Sequence, residues 1–215
     1  LLKAEKAFTI FKDSIVPALN EIAKTKVVFP TPNNILRVFK ETPFDDVRVV
    51  IIAQDPYHDF GSATGIAFDN PKSRKPSPSL RNFLREIASD LGEPSKANEN
   101  TLSYLEHLPG QGVLLLNTAL TVESGKPESH LEIWAPFSQE IIATLNKSDM
   151  PIVWLLLGKK AQSQKRFITN TRHIVVDGAH PSRFSAKMFF GWKYFSKVNS
   201  FLKKEKSNAN FSIHQ

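Results

Sequence analysis

Four short stretches of the chain are apolar almost without interruption: VRVVII (47–52), GVLLLN (112–117), IVWLLL (152–157) and HIVV (173–176). None has the i, i+3, i+4 stride of an amphipathic helix, and none alternates like a strand with one wet face. Such runs predict strands buried on both faces, the habit of parallel sheets. The segments between them change period. SPSLRNFLREIASDL (77–91) keeps a helical stride with Ser79 as its expected cap. Further helices are expected near 101–108, 134–146 and 159–168, and after FFGW (189–192) to about Lys204. Upstream, Ala4, Phe8, Phe11, Ile15, Leu19 and Ile22 carry a helical stride that Pro17 is expected to interrupt. VFPTPNN (28–34) reads as a Pro-stiffened turn before a short helix holding Ile35, Leu36 and Phe39. Strand alternating with helix implies right-handed crossovers and a sheet covered on both sides. The expected fold is therefore α/β: a three-layer α/β/α sandwich around a central four-stranded parallel sheet, in a single domain over residues 1–215 with no internal repeat or dividing linker.

Length and charge narrow the class. A chain of 215 residues, 41% hydrophobic, is long enough for one substantial core. No apolar run approaches the roughly 20 residues of a membrane helix, so no membrane association is expected. With no Cys, disulfides, thiolate zinc sites and a Cys nucleophile are excluded. A reducing, intracellular setting fits: the cytoplasm first, with the nucleus or another DNA-containing compartment left open. No secretory signal pattern opens the chain, although a start at Leu1 rather than Met leaves a trimmed presequence open. The net charge of +7 favours a polyanionic partner, and the charge is uneven. From Lys159 to Lys206 there are 12 Lys or Arg against two acids, Asp177 and Glu205.

In open parallel sheets, ligands bind beyond the carboxyl ends of the strands. Here the first apolar run passes into Gln54-Asp55-Pro56-Tyr57-His58, and the second ends at Asn117-Thr118. The third ends at Gly158 with Lys159 and Lys160, and the fourth leads into DGAHPSRFS (177–185), with His180 and Ser182. Singly, each has an ordinary explanation, since a carboxylate after a strand often caps a helix and an Asn often makes a turn. Four on one rim point to a site. It offers one carboxylate (Asp55), an imidazole (His180), an amide (Asn117), an aromatic face (Phe68) and the hydroxyls of Ser79 and Ser182. There is no second acid beside Asp55, no Gly-x-Ser-x-Gly elbow, no Gly-rich phosphate loop and no usual metal-ligand spacing of His, so neither metal nor cofactor is expected. The set suits a planar, hydrogen-bonding ligand held against a ring, with a water aimed by one carboxylate.

At this point the residues resemble family 1 uracil-DNA glycosylase. QDPYH (54–58) is similar to the family's water-activating loop, PSPSLRN (76–82) to its Pro-rich loop and LLLNT (114–118) to its uracil-recognition strand. HPSRFS (180–185) with FFGWKYFS (189–196) resembles its minor-groove loop, and the likeness spans about residues 28–200. The resemblance implies a cofactor-free, monofunctional enzyme that flips uracil out of DNA, hydrolyses its N-glycosidic bond and leaves an abasic site, initiating base-excision repair. It implies that Asp55 orients or deprotonates the attacking water while His180 donates a hydrogen bond to uracil O2. Gln54, Tyr57, Phe68 and Asn117 are implied as uracil-binding, with Phe68 stacking, Asn117 pairing with the base edge and Tyr57 excluding a 5-methyl group. His58, Pro76, Ser79, Gly158, Lys159, Ser182, Arg183, Phe184, Ser185 and Lys187 are implied on the DNA side, Phe184 as a wedge where relatives carry Leu. The implied partners are single- or double-stranded uracil-containing DNA and a DNA-mimicking inhibitor protein, with a monomer as the default.

The chain departs from the family's pattern at several points. Ala53 and Asp59 stand where Gly is usual, Thr64 where His is common, and Lys159 where Ser is usual. The Pro-rich loop keeps only Pro76 and Pro78, and Lys187 and Met188 replace other types near the wedge. Asp59 is expected to raise the pKa of Asp55 if the two are close. Basic neighbours are expected to disfavour protonation of His180. Two other readings compete: a non-catalytic basic DNA-binding module, and a glycosylase for another base. The intact set of Asp55, Tyr57, Asn117 and His180 favours uracil.

Overall fold

The computed structural model describes residues 4–92 and 102–205. Helices α1 (Glu5–Ile10) and α2 (Val16–Ala23) open the chain, joined by a π-turn at Phe11–Ile15. Strand β1 (Val28–Phe29), a 3₁₀ turn and α3 (Arg37–Glu41) lead to β2 (Val49–Ala53). Helix α4 (Pro78–Leu91) precedes β3 (Val113–Asn117) and β4 (Val122–Glu123); α5 (Leu131–Asn146) precedes β5 (Val153–Leu157). A short α6 (Lys159–Gln162) and a 3₁₀ turn (Ser163–Phe167) run to β6 (Ile174–Gly178), and α7 (Ala186–Phe189) and α8 (Tyr194–Lys204) follow.

The central sheet has the order β3-β2-β5-β6, every pair parallel, as the four apolar runs predict. Its residues divide by the strand period of two. Val49, Ile51, Val113, Leu115, Val153 and Leu155 face one side, where Leu80, Phe83 and Ile87 of α4 and Phe195, Val198 and Leu202 of α8 cover them. Val50, Ile52, Leu114, Leu116, Trp154 and Leu156 face the other, against Ile15 and Leu19, Val38 and Phe39, and Trp134, Ile141 and Ile142 of α5. Two apolar faces explain why β2, β3 and β5 do not alternate. The fourth run does not meet the expectation of full burial: β6 is an edge strand with a neighbour on one side only, Ile174 is 37% exposed, and Val175 and Val176 are half-buried. No helix among the described residues is long and apolar enough to cross a membrane.

Local predictions fared unevenly. The interruption at Pro17 takes the form of the π-turn: the Val16 N–H reaches back five residues to Phe11 O, and Pro17, which has no N–H to place, falls at the start of α2. The cap of α4 is Ser77 rather than Ser79; Ser77 Oγ accepts the Leu80 N–H at 3.2 Å with Pro78 at the first helical position. The helix expected near 101–108 is replaced by turns over 102–108, residue 101 lying outside the described residues. Side-chain acceptors take amides there: the distant Asp69 Oδ1 accepts the Leu105 N–H at 2.8 Å, and within the segment Glu106 Oε2 accepts the Leu102 N–H at 2.7 Å. The pattern at 159–168 divides into α6 and the 3₁₀ turn. Within VFPTPNN, Val28 and Phe29 pair antiparallel with Glu123 and Val122, a two-stranded ribbon that the local sequence does not announce.

Candidate active site

Ala53 at the tip of β2 pairs in register with Asn117 at the tip of β3. The pairing continues past the strands. Thr118 N–H donates to Ala53 O at 3.1 Å and Ala119 N–H to Gln54 O at 2.8 Å, while the Thr118 hydroxyl also donates to Gln54 O at 2.9 Å. The 54–58 turn is thus sewn to the end of β3, which brings Asp55 and Asn117 to one rim. On the far side of β2, β5 ends in Gly158 at φ +92°, where an added Cβ would lie 2.9 Å from His180 Cβ. Only glycine lets the β5 tip approach that imidazole. The result is a cleft of about 250 Å³ lined by Gln54, Asp55, Tyr57, His58, Phe68, Ser79, Asn117 and His180. The segments after β2, β3 and β6 line the cleft, whereas the β5 tip takes part only from behind, through Gly158 against His180; Gly158, Lys159, Ser182 and Ser185 are not among the lining residues.

Two walls, Tyr57 and Phe68, are held from behind. Tyr57 Oη donates to Phe68 O at 3.0 Å and sits 2.6 Å from Ser77 Oγ. Burial pushes this phenol up to about 12, so Tyr57 is a neutral, doubly tethered wall. Phe68 adopts φ +64°, a left-handed conformation costly for an aromatic residue. Its ring stacks on Phe83 at 5.6 Å with the planes 9° apart and lies 5.8 Å from the His180 ring. Behind it, the buried Asp69 accepts from the Leu105 N–H and the Thr64 hydroxyl, so Thr64 serves this support. Asn117 is 5% exposed, and among the described residues its amide oxygen is buried without a hydrogen-bond partner. At the wall of a cleft, an acceptor of that kind is open to a donor from a ligand.

The two ionisable groups are tuned in complementary ways. Burial raises the Asp55 carboxyl above its usual range; the Glu128 N–H, donating to Oδ2 at 2.7 Å, works against this. Burial lowers the His180 pKa, so the ring is neutral at pH 7. The Ser182 N–H donates to His180 Nδ1 at 3.1 Å, which makes Nδ1 the acceptor and leaves the proton on Nε2. His180 is therefore a neutral hydrogen-bond donor.

The loop after β6 contrasts with the cleft. Phe184 is 85% exposed with the Arg183 guanidinium 4.7 Å from its ring centre, which rules out a core role. Lys187, Met188 and Lys159 are also exposed, and Pro76 is half-buried. Ser185 Oγ donates to His180 O at 2.6 Å and lies 3.0 Å from Ser182 Oγ, so both hydroxyls brace the loop. Ser77 and Glu128 escape sequence reasoning. For Ser77 the signal was legible, a serine directly before Pro78 at a helix start; for Glu128, 73 residues beyond Asp55, there was none.

Residues 39–203 match the uracil DNA glycosylase superfamily. The chain is 42% identical to a Bacillus pumilus protein named uracil-DNA glycosylase, with 86% of this chain and 81% of that one covered. It is also 42% identical to the uracil-DNA glycosylase of Blochmanniella floridana, over 94% of this chain and 91% of that one. The chain belongs to the uracil DNA glycosylase superfamily. Its fold is that of the crystal structure of mimivirus uracil-DNA glycosylase, with a TM-score of 0.83 at 20% identity over 95% of this chain and 84% of that one; a variant of the mimivirus protein was solved in complex with UGI.

Within the uracil DNA glycosylase superfamily pattern, two expectations about this chain's departures are corrected. Asp59 does not act on Asp55: it pairs with Arg74 Nη1 at 3.2 Å and with Ser62, and the acid that raises Asp55 is Glu128. His180 is kept neutral by burial rather than by basic neighbours.

Proposed function

We propose that this protein removes uracil from DNA by hydrolysing the N-glycosidic bond, leaving an abasic site and starting base-excision repair. A base within the duplex is out of reach, so the nucleotide turns out into the cleft at a cost of a few kcal/mol. There Phe68 stacks on the pyrimidine. The observation that carries the reading is the orphaned, buried Asn117 amide oxygen in the cleft that also holds Asp55 and His180. It accepts from uracil N3–H, and the amide nitrogen donates to O4. Cytosine reverses that pattern and leaves buried groups unpaired, which discriminates by about 10⁴-fold. The tethered Tyr57 wall meets C5 and excludes the methyl group of thymine. Gln54 completes the base pocket.

For bond cleavage, Asp55 orients a water whose oxygen forms the new bond to C1′, and takes a proton from it. The C1′–N1 bond breaks with its electron pair passing to uracil, and the carboxylate favours the positive charge that builds on the sugar. His180 Nε2–H donates to uracil O2 and stabilises the departing anion. A neutral imidazole suffices. A mere DNA-binding module would gain nothing from burying a carboxylate at this rim.

On the DNA side, His58, Ser79, Ser182, Ser185 and the backbone at Gly158 and Lys159 hold the phosphates flanking the flipped nucleotide. Phe184 fills the gap, flanked by Arg183, with Pro76 and Lys187 at the edges of the contact. The protein acts as a monomer on single- or double-stranded DNA inside the cell, residues 1–215 forming one catalytic domain. The solved mimivirus complexes with UGI support an inhibitor protein as a second partner. The test is release of uracil from a uracil-containing oligonucleotide in EDTA. An alkali-labile site is expected at the uracil; an intact strand, where a control glycosylase cuts, rejects the proposal.

A further inference from the structure

The N–H that meets Asp55 Oδ2 belongs to Glu128, in the loop before α5, and Glu128 has φ +67°. Gly and Asn occupy that left-handed region most readily, whereas Glu gains nothing from it in its own backbone. The side chain supplies the reason. The Glu128 carboxylate pairs with Lys160 Nζ, on the first turn of α6 directly after β5. That contact holds the Glu128 carboxyl below its ordinary pKa, so the pair is ionic at neutral pH. The loop is anchored on two other sides, since the Gly125 N–H donates to His58 O at 2.9 Å and the Leu131 N–H to Glu128 O at 3.3 Å. The peptide group facing the acid is thus fixed by the 54–58 turn, the start of α5 and the tether to α6.

We propose that Glu128 and Lys160 form an ion-pair latch that positions Asp55, acting through the Glu128 N–H. Both are positioning residues, and the inference rests on the reading of Asp55 as the group that faces the sugar. The latch joins the β5 tip to the loop before α5, across the mouth where Asp55 sits. Its partners are about half exposed, with relative side-chain accessibilities of 59% and 52%, so its effect is that of an exposed pair. A rate change of about two- to five-fold is expected, or about 0.4–1 kcal/mol at 1.36 kcal/mol per decade.

The rival role for Lys160 is a DNA phosphate contact, beside its neighbour Lys159. The two roles part in kinetics. A latch acts after binding and changes kcat; a phosphate contact changes KM and its salt dependence. The experiment uses the full chain with a single-stranded uracil oligonucleotide and compares Lys160→Met, Glu128→Gln and the charge-swapped pair Glu128→Lys with Lys160→Glu. Each single variant should lose two- to five-fold in kcat with KM within two-fold of the original, and the swapped pair should recover at least half of the loss. The acid limb of kcat should move in opposite directions. The charges acting on Asp55 are Glu128, Lys160 and His58, so loss of Lys160 moves the limb to higher pH and loss of Glu128 to lower pH. Loss of folding alone would give neither the rescue nor the opposed shifts. An unchanged kcat in both singles, a raised KM with a flatter salt dependence for Lys160→Met, or a swapped pair worse than either single overturns the latch. Full activity of Asp55→Asn would instead overturn the role of Asp55, a separate failure.

Discussion

The cleft and the loop that carries Phe184 sit side by side on one rim, yet they are built on opposite terms. In the cleft three side chains have their positions set by neighbouring groups: Tyr57 by Phe68 O and Ser77, His180 by the Ser182 N–H, Asp55 by the Glu128 N–H. On the loop Phe184 projects into solvent with the Arg183 guanidinium laid over its ring, and Met188 of the following α7 is exposed beside it in sequence. The cleft has met its reorganisation cost during folding, which suits a site whose dipoles must already point at developing charge. The loop leaves apolar surface uncovered, so any free energy stored there appears only when a partner covers it.

Three substitutions probe this contrast. Asp55→Asn should have the largest effect, lowering turnover by about 10³-fold or more while DNA binding in a gel-shift assay stays intact. The same variant carries a stability signature. Burial raises the folded-state pKa of Asp55, so the acid is least costly when protonated, below its unfolded value of 3.8. Its penalty grows as pH rises through the raised value and is fully present at neutral pH. Calorimetry should therefore find Tm of Asp55→Asn above the wild type at pH 7, with the gap closing toward pH 3. The wild-type rate should likewise fall on acidification at a pH above the ordinary Asp range. A variant less stable at pH 7 would contradict the claim that chemistry here is bought with stability.

Phe184→Ala should come next, lowering kcat/KM on duplex by roughly 10- to 100-fold through loss of part of the few kcal/mol that flipping demands. On single strands, where less stacking is lost, the drop should be several times smaller. Equal losses on both substrates would make Phe184 a general contact and dissolve the contrast. Lys187→Ala should be mildest. The plot of log affinity against log salt should flatten by about 0.7–0.9, one phosphate contact, with turnover at saturating DNA unchanged.

The architecture was legible because a strand buried on both faces needs an unbroken apolar run, which β2, β3 and β5 have; the shorter run of β6 marks a strand too, though one left half-covered at the sheet edge. The placing of Asp55, Asn117 and His180 around one cleft was legible because parallel strands bring their carboxyl ends to one rim. Local rules failed where another side chain, nearby or distant, took the role instead. Ser79 had the credentials of a cap, yet Ser77 took the role and tethers Tyr57 as well; the 102–108 segment had helical spacing, yet Asp69 and Glu106 hold its amides.

What the amino-acid order determined by itself is the sheet, its two covered faces and the set of side chains at its upper edge, since periodicity and strand direction are local or topological properties. Only the tertiary structure decided the charge state and aim of those side chains: the neutral Nε2–H form of His180, the raised pKa of Asp55 and the orphaned oxygen of Asn117. Burial and hydrogen bonds from residues as remote as Glu128 set these properties, and neither burial nor a partner 73 positions away has a signature in local sequence.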